Sequence, residues 1–221
     1  MILVAIDTST RYAAVGVTND AGARVCRSWR SNQNHSQELM PTIAECFTEL
    51  ELESIQTTHV AVAVGPGGFS SVRVGISTAL GLITPRRLPV VGIPTHDIEV
   101  EPFLSETNAG IPVYSLIPAG RNQISWTRHG DKTVNEKGIA APEELVDIVE
   151  NNALLCGEAC EIMKGMIADS QLKTTNLPTR DPNWIIDIAQ RKFESDKATP
   201  YEQLRPIYAR PPSISQPKQA K

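Results

Sequence analysis

Residues 2–6, ILVAI, are uninterruptedly apolar and too few for a helix, the pattern of a strand buried on both faces. YAAVGVT (12–18) and ARVCRSW (23–29) are strand-like runs separated by the turn residues NDAG. Together the three predict an antiparallel meander. The period then changes. In HSQELMPTIAECFTEL (35–50), Leu39, Ile43, Cys46, Phe47 and Leu50 recur at helical spacing. Ser36 is the candidate N-cap, and Pro41 predicts a late start or a kink. HVAVAVG (59–65) predicts a strand, the stretch from Phe69 to Pro85 a helix, and LPVVGI (88–93) another strand. Residues 95–108 are expected to be helical or irregular because Pro102 interrupts the pattern.

The second half follows the same order. Strands are predicted at 111–118, 121–129 and 132–137, a helix at 142–150, a strand at 153–157, a helix from 159 to 168 or beyond, and a short strand, LKTTN, at 172–176. PNWIIDIAQRKFE (182–194) is the closing helix. Both halves read β-β-β-α-β-α-β, with no repeat of sequence. This order given twice is that of a ribonuclease-H-like duplication, as in actin, Hsp70 and sugar kinases. The expected fold class is therefore α/β, with two ribonuclease-H-like, actin-like lobes, each a mixed five-stranded sheet with helices. The N-terminal lobe is expected at 1–108, a smaller C-terminal lobe at 109–195, and a proline-rich tail at 196–221. The tail is expected to pack back through Tyr201, Leu204, Ile207 and Tyr208 and to end in a disordered SISQPKQAK.

Composition narrows the classes. With 221 residues, a formal charge of −4 and 41% hydrophobic content, the chain is an ordinary globular protein without a broad nucleic-acid footprint. No apolar run approaches a membrane span and the start is not a signal peptide, so a cytoplasmic protein with no membrane contact is expected. Cys26, Cys46, Cys156 and Cys160 have no metal or redox spacing, and His35, His59, His96 and His129 make no HxxxH pair. No metal site is expected, and no catalytic residue stands out.

The candidate chemistry lies at two turns. Asp7 ends the first strand with Thr8, Ser9 and Thr10 beside it, ligand types suited to phosphate or to Mg2+. The matching turn of the second half, Pro118 to Asn122, has no carboxylate, so half of an ATPase's acidic pair is missing. VAVGPGGFSSVRVGISTALGLI (62–83) carries a glycine-rich strand-to-helix turn without the Lys of a P-loop. Its Gly67 and Gly68, with Arg73 one turn later, could still meet an anion; plain turn geometry is the alternative reading. Gly75 and Gly81 each cost the helix about 1 kcal/mol relative to Ala. Close approach of another helix, or of a second subunit, would offset that. Ser71, Gly75, Thr78 and Leu82 form its mostly small face, and Phe69, Val72, Ile76, Ala79 and Ile83 its apolar one.

IDTST, HSQELMPTI, and GPGGFSSVRVGISTALGL followed by LPVVGIPT together resemble the TsaB (YeaZ) family of accessory subunits in bacterial tRNA threonylcarbamoyladenosine formation. LLCGEA (154–159) and PIYARPP (206–212) extend the likeness into the second half. The resemblance implies a non-catalytic scaffold that pairs with a TsaD-type transferase, and a TsaE-type ATPase joining through that complex. It also implies a homodimer when alone, only indirect contact with tRNA, and no required cofactor beyond weak ATP or ADP at a subunit interface. It places the pairing surface on helices 36–50 and 69–83, at His35, Leu39, Ile43, Phe47, Ser71, Val72, Gly75, Thr78, Ala79 and Leu82. Vestigial phosphate contacts would fall on Asp7, Thr8, Ser9, Gly67, Gly68 and Arg73. The chain departs from the family pattern at Gly68, Ser70 and Ser71, at Gln37, and at Ala119, where an Asp is usual. It reads as a divergent member. The rival readings are an ATP-dependent small-molecule kinase on the same fold and a glycoprotease-like peptidase.

Overall fold

A computed structural model describes residues 1–32, 34–130, 136–173 and 177–210. The first sheet is built from β1 (Leu3–Asp7), β2 (Tyr12–Thr18), β3 (Arg24–Arg30), β4 (His59–Gly65) and β5 (Val90–Pro94), in the order β3-β2-β1-β4-β5. β1 to β3 form the expected meander, and β4 and β5 run parallel to β1. β1 is buried along its whole length and β4 along all but His59, so the sheet must be covered on both faces. One face holds Val4, Ile6, Val60 and Val62 against α1 (His35–Glu49) and α2 (Phe69–Ile83). The other holds Leu3, Ala5, Ala61 and Ala63 against α3 (Thr95–Val100) and a helix from the far end of the chain.

α1 begins at His35, so the late start expected from Pro41 does not occur. Its N-cap is Asn34, whose carbonyl accepts from the N–H groups of Gln37 and Glu38, and Ser36 lies exposed inside the helix. After β5, α3 leads through a 3-10 turn into α4 (Leu104–Asn108).

The second sheet has four strands, β6 (Val113–Pro118), β7 (Ile124–His129), β8 (Lys137–Ala140) and β9 (Leu154–Cys156), in the order β8-β7-β6-β9. The fifth strand expected at 172–176 is reduced, among the described residues, to a single bridge between Leu155 and Leu172, and 174–176 lie outside them. The strand expected at 132–137 is displaced to β8; residues 132–135 are likewise outside the described set. α5 (Pro142–Ile148) covers this sheet together with α6 (Cys160–Met163). α6 is far shorter than expected: Gly165, at φ +76°, turns the chain in a conformation that favours glycine.

The closing helix α7 (Pro182–Glu194) matches its expected span. Asp181 caps it by accepting from the Asn183 N–H at 2.8 Å, and Pro182 occupies the first turn. The division of the chain at 109–195 misplaces it. Ile185, Ile186, Ile188 and Ala189 pack on the open face of the first sheet, and Gly16 makes room for Ile186. The first sheet needed a second cover that residues 1–108 do not supply in full.

The tail returns to the same lobe. The Thr199 N–H donates to the Val90 carbonyl and the Ile207 N–H to the Val64 carbonyl, and Leu204 is buried. Tyr201 and Ile207 remain exposed, and residues 211–221, which include all of the expected disordered end SISQPKQAK, lie outside the described set. Among the described residues no helix is long and apolar enough to cross a membrane.

Candidate functional site

The Asp7 hairpin closes on itself and on α2. Asp7 Oδ1 accepts from the Ser9 N–H at 2.7 Å and from the Ser9 hydroxyl at 2.5 Å. Thr8 Oγ1 donates to the Ser71 carbonyl at 2.6 Å and accepts from the Gly75 N–H at 3.0 Å. A Cβ on Gly75 would stand 2.6 Å from Thr8 Oγ1, which is why glycine occurs in the middle of this helix.

The glycine turn is filled by protein. A Cβ on Gly67 would fall 1.9 Å from the Ser9 carbonyl oxygen, and the Gly68 N–H donates to that same oxygen at 2.7 Å. Gly65, at φ +99°, leaves space for the Ile207 carbonyl of the tail. Arg73 donates to the Tyr208 hydroxyl at 2.7 Å and lies 3.8 Å over the Phe69 ring, which itself stacks on Tyr208. The six residues expected to contact an anion therefore have internal packing or bonding partners, with the hairpin and the tail in place of a phosphate.

The centre of the site is a residue the sequence reading missed. Arg180, on the segment leading into α7, is fully buried between the lobes. Its Nε donates to Asp7 Oδ2 at 2.6 Å, one terminal nitrogen donates to Glu99 of α3, and the other to Thr10 Oγ1 at 2.7 Å and Glu158 Oε1 at 2.8 Å. Thr10 bonds Glu158 in turn, and Thr179 donates to Glu99 at 2.7 Å. One cation thus faces three carboxylates from three parts of the fold. Burial pushes the Glu99 carboxyl above its ordinary range, with Arg180 opposing that rise. The three carboxylates hold the Arg180 guanidinium charged despite its burial. No group of three or more His, Cys, Asp or Glu side chains arranged to hold a metal occurs among the described residues. Glu158 follows Gly157 in the CGEA turn and was visible as an acidic turn; nothing in the local pattern marks Glu99 or Arg180.

A second polar cluster joins α3 to the second sheet. His96 Nδ1 meets Ser115 Oγ at 2.8 Å and His96 Nε2 meets Ser125 Oγ at 3.0 Å. Ser115 Oγ also meets His129 Nε2 at 3.0 Å. Burial pushes His96 down to about 3 and His129 to about 4, so both imidazoles are neutral at ordinary pH.

The pairing face is also corrected. His35, Leu39, Ile43, Phe47, Val72, Gly75 and Ala79 are buried within the lobe, while Ser71, Thr78 and Leu82 are half-buried. Seven of the ten residues read as a contact surface thus pack inside the lobe, and only Ser71, Thr78 and Leu82 keep partial exposure. The outward side of the two helices includes Met40, Ala44, Ser77 and Gly81, the last with open space beyond its Cα.

The model of the family described as "TsaD: tRNA N6-adenosine threonylcarbamoyltransferase" matches residues 30–180. The chain is 25% identical to the tRNA threonylcarbamoyladenosine biosynthesis protein TsaB of Escherichia coli (strain K12), over 95% of each chain. It is 24% identical to the protein of the same name from Haemophilus influenzae, over 95% of this chain and 94% of that one. Among solved structures, YeaZ from Pseudomonas aeruginosa superposes with a TM-score of 0.77 at 20% identity, covering 94% of this chain and 99% of the other. That likeness shows the fold, two actin-like lobes.

Proposed function

Because the chain belongs to the TsaD-type tRNA N6-adenosine threonylcarbamoyltransferase family, as a divergent TsaB/YeaZ member, we propose that it serves N6-threonylcarbamoyladenosine formation on tRNA as a non-catalytic subunit paired with a TsaD-type transferase. The observation that carries this reading is the Arg180 guanidinium at the junction of the lobes. The carboxylate that would organise Mg2+ and a nucleophile in an actin-like ATPase, Asp7, has both oxygens bonded to protein. Neither the Asp7 hairpin nor the Pro118–Asn122 hairpin offers a free acid.

The partner surface in this proposal is the outward side of α1 and α2, around Met40, Ala44, Ser77 and Gly81. Small residues there let a partner helix approach closely. A homodimer forms through the same face when the transferase is absent. A TsaE-type ATPase joins through the complex, tRNA is met indirectly, and ATP or ADP binds weakly at a subunit interface.

Co-expression with the TsaD-type protein of the same genome, followed by mass measurement, tests the pairing: a stable complex is expected, and failure to co-elute sinks it. Gly81→Arg adds a side chain into open space, so the variant is expected to melt like the parent yet lose the complex. Turnover by the isolated chain with ATP would overturn the non-catalytic role.

A further inference from the structure

The outward side of α2 carries one ridge at a spacing of four residues, Phe69, Arg73, Ser77 and Gly81, and all four are exposed. The ridge falls from large side chains at the head of the helix to none at Gly81, about 18 Å along the axis. The tail widens its head. Tyr208 stacks on Phe69 with ring centres 5.0 Å apart, and Arg73 lies 3.8 Å from the centre of the Phe69 ring. Arg73 Nε also donates to the Tyr208 hydroxyl at 2.7 Å. The backbone seats the tail there: the Ile207 N–H donates to the Val64 carbonyl, and Gly65, at φ +99°, leaves room for the Ile207 carbonyl.

An aromatic pair with a guanidinium laid on it is held in one arrangement before any partner arrives, so little side-chain freedom remains to be lost on binding. The stack is nevertheless open to its surroundings, with Phe69 41% exposed. Arg73 has no carboxylate partner among the described residues. The hollows on either side of Phe69 bring Arg11 to one flank and Arg121 and Arg210 to the other, and neither wall contains an acidic residue. In a chain of formal charge −4, the head of α2 is therefore a local excess of positive charge.

We propose that the Phe69–Arg73–Tyr208 stack anchors the pairing surface by taking an acidic segment of the protein partner. One partner carboxylate meets the Arg73 guanidinium, and an apolar side chain beside it covers the exposed part of Phe69. This rests on the pairing proposed above and adds the tail to it. Ser77 and Gly81 let a partner helix approach closely, and the stack at the other end of the ridge fixes its direction and register. Tyr and Arg held rigid in a partly apolar setting are the residue types in which interface energy concentrates. An RNA strand is the less suited occupant. A base would have to stack on a Phe69 ring that already carries Tyr208 and Arg73, whereas the ridge continues into small residues where a helix fits.

The test is calorimetric titration of the full chain with the TsaD-type protein of the same genome at two salt concentrations. The parent is expected to bind more weakly at about 300 mM NaCl than at about 50 mM. Arg73→Glu and Tyr208→Ala are each expected to weaken binding at least about tenfold. Arg73→Gln is expected to weaken it less and to flatten the salt dependence. Arg73 is exposed and Tyr208 half-buried, so the variants are expected to melt like the parent. A parent complex that all three substitutions leave within about twofold overturns this inference alone. Absence of any complex with the parent overturns the pairing and the inference together. Binding of the isolated chain to tRNA that Arg73→Glu abolishes, with the protein complex unchanged, overturns it in favour of a nucleic-acid contact.

Discussion

The two lobes are joined by two buried polar clusters that work in opposite ways. At Arg180 the junction is ionic, with one guanidinium among Asp7, Glu99 and Glu158. At His96 it is neutral, with two imidazoles bridged through serine hydroxyls. The ionic cluster depends on every charge keeping its partner, because an unpaired charge in a dry interior is expensive. The neutral cluster depends on two groups staying unprotonated. Removal of one cation should break the first, and a change of pH should break the second.

The largest effect is expected from Arg180→Met. It leaves three carboxylates facing one another without a cation, and the loss should reach at least about 3–5 kcal/mol, enough to unfold many domains. Urea denaturation at neutral pH measures it. A loss under about 1 kcal/mol would mean that the carboxylates share protons instead of relying on Arg180.

Acid is the next probe. His96 and His129 titrate in the folded chain at about 3 and about 4, below the ordinary value of 6.5, so the unfolded chain takes up protons first as pH falls. Stability is full above about pH 6.5 and is lost as pH falls toward 4, by roughly 2–3 kcal/mol for each histidine. Glu99 acts in the other direction: its raised value means that protonation relieves the ionic cluster and offsets part of the loss. Denaturation midpoints between about pH 7 and 4.5 should fall, and a flat profile would show that the imidazoles are not buried neutral.

The smallest effect sharpens the contrast. Ser125→Ala removes the partner of His96 Nε2 and should cost only about 1 kcal/mol, because a neutral bond is lost and no charge is stranded. A cost comparable to that of Arg180→Met would mean that the two clusters do not differ in kind.

Some of this was legible in the chain. The meander, α2 and α7 carry strong apolar periods and clear turn signals, and each lies within a residue or two of its expected place. The face assignment of α1 and α2 was not legible. A helical stripe of Leu39, Ile43, Val72 and Ala79 is apolar whether it meets a sheet or another subunit, and only packing distinguishes the two. Gly75 was read as a contact for a partner helix, whereas it accommodates Thr8, more than sixty residues earlier.

The sequence by itself determined most of the alternation of strands and helices, the two-lobed α/β class and the family, because these rest on local period and motif. Tertiary structure decided that α7 crosses to the first sheet and that the glycine turn holds the Ser9 carbonyl and the tail. It also decided that Arg180 meets Asp7 across 173 positions of chain. These are contacts between distant segments, set by which faces remain uncovered and which charges remain unpaired once the sheets have formed, and no window of neighbouring residues contains that information.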